Sequence, residues 1–124
     1  MRHLLLAFVL LTGPSVAAHA EPTARTIEVR LTSFDFTPGT IRLRAGEPVV
    51  LRLVNASGGG HNFVAPQLFA SARDVSGPVQ NGRVELAGRQ TVEVRLTPAR
   101  GTYRLRCTHT LHSTFGMTGR IVVR

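Results

Sequence analysis

The chain has 124 residues, 15 basic side chains, all of them arginine, against 7 acidic ones, and a formal net charge of +8. That length suits one domain with one core, and its single cysteine excludes an internal disulfide. A strongly positive exterior favours acidic protein partners or anionic surfaces. Nucleic acid is disfavoured because no basic run or interleaved aromatics accompany the charge.

Residues 1–20 have the build of a secretory signal. Arg2 and His3 give a basic start, Leu4 to Leu11 form an apolar run of eight, and Gly13-Pro14 breaks it. Ala18-His19-Ala20 then offers an A-x-A cleavage site before Glu21. The run is far short of the roughly 20 residues that span a bilayer, and no cysteine stands near the cleavage site to carry a lipid. Export with cleavage is therefore expected, to the periplasm or beyond. It leaves Glu21 to Arg124 as one soluble domain, 124 − 20 = 104 residues, with 14 arginines against 7 acidic residues.

The remainder reads mainly as strands. Thr26 to Thr32 alternates apolar with polar residues, the period of a half-buried strand. Ile41 to Arg44 repeats the pattern after a turn at Thr37 to Thr40. Pro48 to Val54 is more uniformly apolar, as a deeply buried strand would be. Ser57-Gly-Gly-Gly60 is a flexible lead into the apolar-rich His61-Asn-Phe-Val64. Pro66 to Asp74 is the one stretch suited to a short helix or irregular loop. Arg83 to Leu86, Thr91 to Leu96 and Thr102 to Arg106 alternate cleanly, and Arg120 to Arg124 closes the chain. Short strands separated by Gly and Pro clusters predict an all-β, antiparallel sandwich.

Strand phase places the chemistry. Side chains alternate between faces, so Tyr103, Leu105 and Cys107 share one face and Arg104 and Arg106 the other. The arginines, mostly at alternate strand positions, read as a solvated sheet face in preference to a dedicated binding patch. Cys107 points inward at a strand end, and Thr108 to Gly116 forms the loop before Met117 and the last strand. Beyond the signal, the soft and imidazole ligands are His61, Cys107, His109, His112 and Met117. Four of these five fall within eleven residues. A thiol in an oxidising compartment is a liability unless buried or bound. Thiolate, imidazoles and thioether together suit copper, and a thiolate with two imidazoles and a weak axial Met makes a blue-copper electron-transfer site.

These residues, from Phe34-Asp-Phe-Thr-Pro-Gly39 and Ala45-Gly46 through Gly60-His61-Asn62-Phe63 to Gly116-Met117-Thr118-Gly119, resemble a small bacterial cupredoxin of the plastocyanin and azurin type. The resemblance implies a Greek-key β-sandwich and one type 1 copper ion held by His61, Cys107 and His112, with Met117 axial. It also implies that Asn62 and Thr108 tie the two ligand segments together around the metal. The four residues between Cys107 and His112 are azurin-like, and the four between His112 and Met117 are plastocyanin-like. His109 is an extra imidazole two residues after the thiolate. It competes with His112 as a ligand, sits on the surface or binds a second metal. The longer step to His112 curls round an ion more easily, so His112 is preferred. Multicopper oxidases flank the equivalent cysteine with histidines, whereas Arg106 and Thr108 flank Cys107, and no triad, carboxylate pair or phosphate loop is present. The expectation is a non-enzymatic, monomeric electron carrier with an acidic redox partner. A copper storage or delivery protein is the alternative.

Overall fold

A computed structural model describes residues 11–19, 23–109 and 116–124. Most of the expected signal segment, including its cleavage point, therefore lies outside the described residues. Two five-stranded sheets face each other. The first runs β2 (Asp35–Thr37), β1 (Arg25–Thr32), β4 (Val49–Asn55), β8 (Thr91–Thr97) and β6 (Arg73–Ser76). The second runs β3 (Thr40–Leu43), β10 (Thr118–Val123), β9 (Gly101–Arg106), β5 (His61–Val64) and β7 (Arg83–Leu86). Helix α1 (Pro66–Ser71) follows β5.

The β-sandwich expected from the alternation is present, with a difference in direction. β1 pairs parallel to β4, and β3 parallel to β10, while the other pairings are antiparallel. The chain crosses from one sheet to the other on either side of β3. β4 thus returns beside β1 in the same direction, which no local pattern encodes.

Alternating side chains of both sheets fill the space between them. Val29, Leu31, Leu51, Leu53, Val94 and Leu96 meet Ile41, Leu105, Ile121, Phe63 and Val84, all fully or almost fully buried. Phe63 packs edge-on against Phe36 and Phe69, with ring centroids 6.1 and 6.2 Å apart. Pro66 opens α1 with a backbone angle already suited to a helix. Six residues do not sustain a helix in water; burial of Leu68 and Phe69 holds this one in place. Ser71 then hydrogen-bonds the Tyr103 hydroxyl at 3.0 Å, and that hydroxyl donates to the Ala99 carbonyl at 2.8 Å. The helix is thereby fastened to β9, whose far end carries Cys107.

Candidate metal centre

β10, β9 and β5 are neighbours in one sheet, so their ends lie together at one rim of the sandwich. His61 is the first residue of β5, Cys107 follows β9 and Met117 precedes β10. Cys107 and Met117 continue the inward phase of Leu105 and Ile121. The backbone N–H of Cys107 donates to the Met117 carbonyl at 3.0 Å, which carries the antiparallel ladder one step past the strands. His61, Cys107 and Met117 are 1%, 0% and 0% exposed.

The Cys107 sulfur lies 3.8 Å from His61 Nδ1 and accepts the backbone N–H of Asn62 at 3.5 Å. A single ion with a sulfur bond of about 2.3 Å and a nitrogen bond of about 2.0 Å spans such a gap. The described donors are thus an imidazole, a thiol and, one ladder step away, a thioether. That combination fits a soft or borderline ion such as copper better than Mg²⁺ or Ca²⁺, which prefer oxygen. Among the described residues no three His, Cys, Asp or Glu side chains gather at one point. His112 lies outside the described residues.

Asn62 stitches the site from behind. Its Nδ2 donates to Thr108 Oγ1 at 2.8 Å and to Glu85 Oε1 at 2.9 Å, and its Oδ1 accepts the Thr108 N–H at 2.8 Å. The start of β5 is thereby clamped to the residue after the cysteine. Buried amides need such partners, because an unpaired one costs about 1–3 kcal/mol.

Glu85 is a residue that the sequence gave no reason to single out. It lies opposite Asn62 in the β5–β7 ladder, and its second oxygen meets His109 Nε2 at 2.9 Å. Partial burial pushes its carboxyl pKa up. The hydrogen bonds from Asn62 and His109, with the positive charge of His109 and Arg83, outweigh this and hold it below the usual carboxylate range. Finding Glu85 requires knowing that β5 and β7 pair across the 18 residues, 65–82, that separate them. His109 is anchored on the outer side of the rim, where its Cε1 would lie 3.0 Å from a Cβ placed on Gly60. Glycine at 60 leaves room for the ring.

The loop leading to His61 has its own fastening. The Asn55 amide, buried at the end of β4, donates to the carbonyls of Gly59 and Ala87 at 2.8 and 2.9 Å, and its oxygen accepts the Ser57 N–H at 3.0 Å. The loop crosses so close to Gly88 that a Cβ there would stand 2.1 Å from the Gly58 carbonyl oxygen.

A family model described as a cupredoxin-like domain matches residues 3–123. Among solved structures, auracyanin B is 28% identical with a TM-score of 0.63, over 84% of this chain and 91% of its own. Auracyanin A, a "blue" copper protein from the green thermophilic photosynthetic bacterium Chloroflexus aurantiacus, is 25% identical with a TM-score of 0.59, over 82% of this chain and all of its own (100%). A multicopper oxidase from Campylobacter jejuni shares the fold, with a TM-score of 0.64 at 10% identity, over 87% of this chain and 31% of the oxidase. No curated protein sequence matches. With the family model spanning almost the whole chain, and an inward-facing His and Cys set side by side at the rim of a two-sheet sandwich, the chain belongs to the cupredoxin-like domain family.

Proposed function

We propose that this protein is a type 1 copper protein that carries single electrons, as an exported, soluble monomer, between protein partners. The observation that carries the reading is the buried pairing of Cys107 Sγ with His61 Nδ1 at 3.8 Å, its sulfur also accepting the Asn62 N–H. Copper when bound supplies the Cu(II)/Cu(I) couple. The residues do the rest. His61, Cys107 and His112 would hold the ion, with the Met117 thioether as a further, weaker donor. Asn62 and Thr108 keep the two ligand segments at a fixed separation, so little has to move when an electron arrives. The N–H of Asn62 withdraws charge from the sulfur and tunes the potential. His109, engaged with Glu85, stays outside the ligand set.

Two comparisons support the carrier reading over a catalytic one. Auracyanins A and B match over most of their own length, and auracyanin A is described as a blue copper protein. Arg106 and Thr108 flank Cys107, at the two places where the family resemblance drawn from the sequence implies histidines in a multicopper oxidase. Among the described residues no helix is long and apolar enough to cross a membrane.

The test is one titration. Cu(II) is added to the purified protein without its first 20 residues, and visible absorption and electron paramagnetic resonance are recorded. An intense thiolate-to-copper band, retained in His109→Ala and lost in His112→Ala, is the expected result. Absence of the band defeats the type 1 reading, and the reverse histidine pattern defeats the ligand assignment. Rapid Cu(I) transfer to a chelator, with no reversible couple by voltammetry, assigns the protein to copper delivery instead.

A further inference from the structure

The outer faces of the two sheets carry their charge differently. On the first sheet Glu28, Arg52 and Glu93 stand directly across from one another on β1, β4 and β8. Arg52 lies 3.7 Å from Glu28 and 3.4 Å from Glu93. Opposite charges at facing positions stabilise a sheet. On the second sheet the pattern inverts. Arg104 of β9 stands directly opposite Arg120 of β10, Arg106 is next on the same face, and Arg42 of β3 lies diagonally beyond Arg120. All four are exposed. Among the described residues none of the four has a carboxylate within ion-pairing distance. Like charges at facing positions destabilise a sheet, and a one-signed face attracts counter-charge from outside.

A groove of about 620 Å³ runs beside Arg104 and Arg106, lined also by Val64, Pro66, Gln67 and Thr118. Such a volume is within the range of ligand sites, about 300–1,000 Å³. Arg106 and Thr118 adjoin Cys107 and Met117 in the chain, so an occupant lies beside the strand ends that carry the candidate ligands. A guanidinium is a rigid fork that matches a carboxylate with two parallel hydrogen bonds. Flat anionic headgroups would reach the arginines and leave the groove's exposed Pro66 unused.

We propose that this face is the docking surface for the acidic redox partner. A segment of that partner rich in Asp and Glu pairs with Arg104, Arg106 and Arg120, while an apolar side chain settles against the exposed Pro66. The proposal rests on the carrier reading above and adds to it the surface and the chemistry of what binds there.

The test titrates the isotope-labelled protein, reduced and copper-loaded, with a short oligoglutamate peptide at low salt and follows backbone amide shifts. Shifts should concentrate at Gln67, Arg104 to Arg106 and Thr118 to Arg120, and shrink as salt screens the charges. Arg104→Glu with Arg106→Glu should weaken the peptide about tenfold or more. Arg95→Glu on the opposite face should change it by less than about twofold. Arg104→Glu alone should raise the melting temperature by giving Arg120 a counter-charge, which separates lost docking from lost folding. Shifts spread over both sheets, or an equal loss from Arg95→Glu, would overturn the proposal. So would capture by phosphatidylglycerol vesicles without peptide binding, which would make this a membrane face. The visible copper band of each oxidised variant is read in parallel. A normal band with no groove shifts removes the docking surface and leaves the carrier reading intact. Groove shifts in a protein that gives no band at all remove the redox role.

Discussion

Asn62, one residue from His61, reaches β7, the segment after β9 and the Cys107 sulfur at once. Its neighbours divide into those the sequence exposes and those it hides. His61, Cys107 and Met117 are legible because ligand residue types are scarce in this chain and strand phase turns them inward. Glu85 is illegible because its significance comes from a pairing between β5 and β7 that no local pattern states. Cys107→Ser should abolish the thiolate charge-transfer band. Met117→Leu should preserve the band and raise the potential by on the order of 60 mV, one tenfold change in relative Cu(II)/Cu(I) affinity, since it removes a donor and dries the site; voltammetry reads this. Glu85 gives a pH signature. Its folded-state pKa is depressed, so its contribution to stability is present above its ordinary value of 4.5 and is lost as pH falls through the lower folded value. Denaturant melts of the metal-free protein should show Glu85→Gln less stable at neutral pH. The difference is expected to be about 0.5 kcal/mol at most, because the side chain is 58% exposed, and to vanish in acid. A difference that grows on acidification would contradict this.

At the scale of elements, the long strands announce themselves and the edges do not. β1, β8 and β9 have one face covered and one wet, so alternation writes them into the sequence, while β4 announces itself by an apolar run although its Val50, Arg52 and Val54 lie on the less covered face. β6 is exposed at all four positions, and β2 is three residues long with only Phe36 buried. Neither has the burial that produces a periodic signal, and both sit at sheet edges. The helix was expected near 66–74 and occupies Pro66–Ser71, with the remainder entering β6. The parallel pairings depend on which sheet each strand joins, a property of the whole chain. The two sheet faces also make opposite predictions for the same chemical change. Arg52→Glu would set three carboxylates side by side across β1, β4 and β8 and should destabilise the protein by about 1 kcal/mol. Arg104→Glu should stabilise it by about 0.5 kcal/mol. Equilibrium unfolding of the two variants decides, and equal effects would mean that facing charges are irrelevant on both sheets.

For the whole molecule, the net charge of +8 can be counted from the sequence, but its uneven division between two faces emerges only with the strand order. Stability should likewise depend on loading. A metal that binds only the folded chain stabilises it by about 2.7 kcal/mol at a free concentration of 100 Kd. Thermal melts should therefore rise with added copper in the native sequence and stay flat in Cys107→Ser. A rise in both would point to adventitious binding elsewhere. The bond from the Cys107 N–H to the Met117 carbonyl reaches further than the centre itself. The sheet, with the Asn62 clamp on Thr108, decides where the chain departs and where it rejoins, whatever the sequence from 110 to 116. That interval can therefore act as an exchangeable cassette. Insertions, deletions and replacements there can recolour the centre and retune its potential, while the scaffold that must fold stays as it is. Evolution, or a designer, can then vary the chemistry without renegotiating the architecture.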